Sequence, residues 1–282
     1  MIRAVSPIDI EGVYRDYLDL KQDENRKERY DGNEHWYHAS GSGSCSRKLY
    51  FESVEKAEPS NVRDDKTKRL LRLGSVIHDD IQNSLTRACA RTVKGTTNKS
   101  LNKEKENKNK EKEIEFHVEK EITIDELNVR GFYDIVVKDN RALFEERTSM
   151  EKAADAEDPN IQPVYLYDIK TCSGWAWQMK FGRKRQVNPS IHYELQLGTY
   201  GYAVKQIFGR LDGMYLYYYN KNTSEMRAVE VPLTFVSRAY LFWKNINDEH
   251  KQGLPNFRVG VSPVQKWQCN YCQFKNHCNP PK

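Results

Sequence analysis

The chain has 282 residues and a mass of 33.1 kDa, so a single large domain spanning 1–282 is expected. With 38% hydrophobic residues, 30% charged residues and a mean hydropathy of -0.85, it holds no run near the ~18 apolar residues of a membrane span. The first ten residues lack a basic flank followed by an apolar stretch, which argues against a secreted precursor and makes the cytoplasm the expected location.

The net charge of +5 is concentrated in two places. Residues 98–113 carry six lysines against four glutamates, and 175–190 carry Lys180, Arg183, Lys184 and Arg185 with no acid, so the remainder is slightly acidic. Clustered cations beside Trp175, Trp177 and Phe181 suit a phosphate backbone with bases to stack, while a solvated loop is the plain alternative.

In chain order, 8–30 is predicted as a helix, 40–44 as a Gly-Ser turn feeding a short helix from Cys45, and 64–91 as a second long helix. In the second helix Leu70, Leu71, Leu73, Val76, Ile77, Ile81 and Leu85 recur at three- and four-residue steps. Residues 98–113 are Lys, Asn and Glu with almost nothing to bury, so an exposed or disordered insertion is expected there. Strands are predicted over 114–124, 127–137 and 164–169, with 141–144 as a further candidate. A helix over 190–208, a hairpin of 214–219 with 226–231, and a helix over 235–251 complete the pattern. Helices and strands in this order make an α/β fold around one sheet, without internal repeats.

Six cysteines are too sparse for a disulfide scaffold, yet Cys269, Cys272 and Cys278 fall within ten residues as C-x2-C-x5-C. Thiolates so spaced suit one iron–sulfur or zinc centre, and Cys45 is the best candidate for a fourth ligand. Cys89 and Cys172 lie in helix and strand contexts where a buried thiol is the simpler role. Asp134 ends the run Gly131-Phe132-Tyr133-Asp134, and Asp168-Ile169-Lys170 places a carboxylate and an ammonium on one face of a strand. Two carboxylates suit magnesium or manganese, beside a lysine able to orient or help deprotonate a water. His78 is a third candidate ligand on its helix, and Gln196 and Tyr200, four residues apart, share a helical face. Glu145-Glu146-Arg147 is a rival to Asp168-Ile169-Lys170, but arginine stays protonated and cannot act as a base.

The order of these pieces resembles a family: cysteine with Arg-Lys-Leu-Tyr close behind, G-x-x-x-H, G-x-x-D, D-x-K-T, Q-x-x-x-Y, then a terminal cysteine triplet. It is similar to the RecB-like nucleases of the PD-(D/E)XK superfamily, in their iron–sulfur branch. More narrowly it resembles the CRISPR-associated RecB-like exonucleases and their stand-alone relatives, some viral, over 45–278. The resemblance implies a restriction-endonuclease-like core with a mixed sheet flanked by helices, its two ends tied by a [4Fe–4S] cluster on Cys45, Cys269, Cys272 and Cys278. It implies Mg2+ or Mn2+ on His78, Asp134, Asp168 and the Ile169 carbonyl, with Lys170 positioning the attacking water. By the same resemblance Gln196 and Tyr200 would contact DNA or support the site; Arg183, Lys184 and Arg185, from their charge and their place between the catalytic strand and that helix, are expected to grip phosphates leading to it. The implied activity is a DNA exonuclease preferring single strands or frayed ends, partnered by a CRISPR integrase or by viral recombination proteins. An iron–sulfur nucleic-acid-binding protein without catalysis and a zinc-stapled interaction module are the alternatives. Asp168 stands where the family more often has glutamate, and the Asp134 to Asp168 spacing is long.

Overall fold

A computed structural model describes residues 9–30, 35–61, 63–94, 114–139, 162–182, 190–255 and 268–278. Their six strands form one mixed sheet. Strand β1 (Tyr37–His38) runs parallel to β3 (Val129–Asp139), and β2 (Ile114–Ile124) pairs antiparallel along the whole length of β3. Strand β4 (Val164–Cys172) pairs antiparallel with β3 only from Ile135↔Tyr167 to Lys138↔Val164. It then runs parallel to β5 (Gly213–Asn220), which makes a hairpin with β6 (Met226–Val231). Because β2 fills one edge of β3, β1 and β4 must share the other. Between them, 131–134 has no strand partner on that edge among the described residues, and this gap is where Asp134 sits.

The helices follow the sequence pattern with shifted ends. Helix α1 is Ile10–Tyr30, and α2 (Ser46–Leu49) continues into a π-helical turn, Tyr50–Val54. Helix α3 is Asp65–Lys94, and it begins where the Asp64 side chain accepts the Thr67 N–H at 2.6 Å. Helix α4 is Gly174–Phe181, α5 Ile191–Phe208, α6 Thr234–His250 and α7 Lys275–Cys278. Successive residues of β4 reach opposite layers: Lys170 bonds to Gln196 of α5, while a side chain at Gly74 of α3 would come within 2.9 Å of the Thr171 hydroxyl. Helices thus flank the sheet on both faces. The core lies on the α5 and α6 side, where Leu195, Leu197, Val204 and Trp243 pack with Val136, Leu166 and Leu216.

Two elements carry no assignment in the sequence reading, and one helix is less buried than its apolar spacing suggests. Residues 174–181 are a helix, started by Ser173, whose hydroxyl accepts the Ala176 N–H, and anchored by buried Trp177. Strand β1 has only two residues, too short to leave a periodic signature. The apolar stripe of α3 is not core: Leu70, Leu71, Leu73 and Val76 are each about half exposed. The insertion 98–113, the candidate strand 141–144, Glu145 and Arg183, Lys184 and Arg185 lie outside the described residues. No helix among the described residues is long and apolar enough to cross a membrane.

Candidate active site and cysteine cluster

The site forms where the β3–β4 ladder stops. Past Ile135↔Tyr167 the strands separate, and the next inward N–H, that of Ile169, donates to Asp134 Oδ2 at 2.6 Å. A side-chain carboxylate therefore replaces a strand in satisfying the backbone, and the same bond holds Asp134 beside β4. His78 comes from α3, with Nδ1 3.6 Å from that Asp134 oxygen. Lys170 Nζ lies 2.5 Å from Asp168 Oδ2 and donates to Gln196 Oε1 at 3.1 Å, and Gln196 Nε2 donates to the Tyr200 hydroxyl at 3.1 Å. Four elements thus bring together His78, Asp134, Asp168, Lys170, Gln196 and Tyr200.

The electrostatics of this group follow from burial. Asp168 is 1% exposed, and desolvation pushes its carboxyl up to about 6 against the pull of Lys170, with Asp134 adding to the rise. Burial penalises the Lys170 ammonium too, yet Asp168 and Asp134 outweigh that and leave its pKa raised, so the lysine is held as a cation. Desolvation likewise works against the His78 imidazolium, and Asp134 more than offsets it, raising the imidazole above its ordinary value. Asp168 Oδ2 is buried, and the Lys170 ammonium is the one polar group against it among the described residues.

Tyr193 belongs to the same site and was missed in the sequence: its ring lies under Lys170 Nζ, 5.0 Å from centroid to nitrogen. The signal was the Tyr193, Gln196, Tyr200 series at three- and four-residue steps on α5. Of the aromatic residues noted near the basic segment, Trp177 is buried and Phe181 is packed on it at 4.5 Å, while Trp175 is 71% exposed.

The C-terminal segment docks on the chain after α2. Ser60 and Asn61 both donate their N–H to the Gln273 carbonyl, at 2.8 and 3.0 Å, and His277 Nε2 lies 2.7 Å from the Glu58 carbonyl. Phe274 is buried and stacks on Phe51. This brings the cysteines together. Burial raises the Cys45 thiol's pKa, and Cys269 and Cys272 add to the rise; Cys272 is raised by burial and then by Cys269 and Cys278. Cys45 caps α2 from a position fixed by Ser46, whose hydroxyl bonds Glu249 and lies 3.0 Å from His250 Nε2, with His250 Nδ1 in turn 2.7 Å from the Tyr37 hydroxyl. Cys172 sits apart on β4, partly exposed rather than buried. Among the described residues no three His, Cys, Asp or Glu side chains stand ready as a finished metal cage.

No family model matches this chain. No curated protein matches it either. Solved structures do match, among them one described as the crystal structure of SSO0001, at 17% identity over 95% of this chain and 96% of that one, with a TM-score of 0.45. At that level of likeness no property passes from one chain to the other.

Proposed function

We propose that the chain is a RecB-like PD-(D/E)XK deoxyribonuclease, dependent on Mg2+ or Mn2+, that acts as an exonuclease on single-stranded DNA or frayed ends. The observation that carries this reading is the bond from Ile169 N–H to Asp134, because it sets two carboxylates and an imidazole around a single lysine. Those residues fit a hard divalent cation: one ammonium faces two carboxylates, and Asp168 Oδ2 is buried with only that ammonium against it among the described residues. Held by His78, Asp134, Asp168 and the Ile169 carbonyl, the cation would stabilise charge building on the phosphate and lower the pKa of a water. Lys170, kept protonated and fixed by Gln196, is suited to orienting that water and countering negative charge, not to taking a proton. Tyr200 locks Gln196 from below, and Trp175 offers an open face for a base near the end of β4.

In the same reading Cys45, Cys269, Cys272 and Cys278 hold a [4Fe–4S] cluster. Cys45 and Cys272 fit such a centre, since burial and neighbouring thiols disfavour their thiolates until a metal neutralises them.

The test is a single-strand DNA cleavage assay on anaerobically purified protein, with and without Mn2+, comparing wild type with Asp168→Asn. Manganese-dependent cleavage that falls about 100-fold or more in the variant is expected. Equal rates in the two proteins, or no cleavage by wild type with either metal, would overturn the reading.

A further inference from the structure

A cleft of about 1520 Å3 lies between one wall made by α1 and α3 and another made by 38–59, with Gln273 and Phe274 of the C-terminal segment at its rim. It exceeds the roughly 300–1,000 Å3 of ordinary small-molecule sites, so a polymer suits it better than a metabolite. Six lysine or arginine side chains line it against three carboxylates. Some of those cations are already engaged: Lys68 is bonded to Asp19 and Asp65. Others are less so. Lys48 reaches Glu52 only at 4.0 Å, and Arg72 has no ion-pair partner among the described residues. Lys21 on α1, which pairs with Glu24, and Arg72 on α3 stand on one wall, and Lys48 stands on the other. Cations on both walls of a cleft are stabilised by an anion between them.

The apolar part of the lining points to the kind of polyanion. Tyr17 is 41% exposed and Leu71 50% exposed, both inside the cleft beside Lys21 and Arg72. In a duplex the base faces are stacked inside the helix, whereas a single strand can lay a base on such a surface while its phosphates meet the cations. The α3 wall also has a direction. Lys68, Arg72, Ser75 and His78 follow at three- and four-residue steps, so the stripe that lines the cleft runs into the histidine beside Asp134.

We infer that this cleft holds a DNA single strand on its way to the His78, Asp134 and Asp168 site, with phosphates on Lys21, Lys48 and Arg72 and a base on Tyr17. What happens at the end of that path rests on the nuclease reading above; the binding track does not need cleavage to be observed. The experiment measures binding of fluorescein-labelled oligothymidylate by anisotropy in EDTA across a salt series. Wild type is compared with Lys21→Gln/Arg72→Gln, with Arg72→Lys and with Tyr17→Ala, each checked for an unchanged melting temperature. In the double variant the slope of log affinity against log salt should fall by about 1.4, and affinity at low salt should drop roughly tenfold. Arg72→Lys should keep the slope, because the charge is retained, and Tyr17→Ala should weaken binding with the slope intact. Wild-type affinity and slope in the double variant, or no strand binding by wild type, would overturn the track. Wild-type hydrolysis of bis(p-nitrophenyl) phosphate with Mn2+ is measured alongside. If that fails while the double variant still loses binding, the nuclease reading falls and the track stands.

Discussion

The Asp134 carboxylate accepts the Ile169 N–H and also faces His78, so its hydrogen-bonding role can be separated from its charge by choice of substitution. Asp134→Asn keeps an oxygen able to accept the Ile169 bond and should melt within about 1 °C of wild type. Asp134→Ala leaves that N–H unsatisfied where no strand can pair it, at a cost of roughly 1.5–3 kcal/mol for a bond to a charged group. At about 2–4 °C per kcal/mol, that is a fall of several degrees in thermal unfolding. Both variants should lose manganese-dependent cleavage, and an Asp134→Ala protein melting like wild type would show that the bond holds nothing. Asp168 and Lys170 were legible in the sequence because strand alternation alone puts residues i and i+2 on one face. The Ser46, His250 and Tyr37 network was not legible, since its members are 204 and 213 residues apart and each is an unremarkable residue by itself.

Among the elements, α5 and α6 are the pair on which the site's geometry depends, because α5 carries Tyr193, Gln196 and Tyr200. The two helices meet at Gly198, where an added Cβ would lie 2.3 Å from the Phe235 carbonyl oxygen and 3.2 Å from the Ala239 Cβ. The nearest obstacle is backbone and cannot rotate away, so Gly198→Ala must push the helices apart. Overpacking of this kind costs roughly 1–3 kcal/mol. A fall of several degrees in melting temperature is expected, together with weaker cleavage, since Gln196 rides on the displaced helix. An unchanged melting temperature would mean the helices have room to separate. The helix was predicted from its apolar pattern, but Gly198 gave no sign of its role, because close approach depends on a partner more than thirty residues away. Helix α3 erred in the opposite sense. Its regular apolar spacing was a sound reason to expect a helix and a poor one to expect burial, which depends on whether another layer covers that side.

Across the whole molecule, the layout of one mixed sheet between helices was legible because each element carries its own periodicity, whereas the docking of the C-terminal segment was visible only as a cysteine triplet with Cys45 as its candidate fourth. The structure shows that this docking does not depend on the cysteines alone. Ser60 and Asn61 bond to Gln273, Asn276 donates to Ser60 through both backbone and side chain, and Phe274 stacks on Phe51. Each such hydrogen bond contributes about 1 kcal/mol net, and burying the phenylalanine adds roughly 2 kcal/mol more. Contacts of that size are enough to keep a short segment docked while the rest of the fold is intact. A metal centre bridging Cys45 to the C-terminal thiols would then lock an arrangement that already exists rather than create it. Stripping the metal should lower the global melting temperature, because a ligand that binds only the folded chain is lost. The Ser60 amide, however, should remain slow to exchange with deuterium well below that temperature, since its acceptor on Gln273 stays in place. Hydrogen exchange on chelated and loaded protein decides the matter: a Ser60 amide that exchanges freely once the metal is gone would show that the thiols, not the hydrogen bonds, hold the C-terminal segment in place.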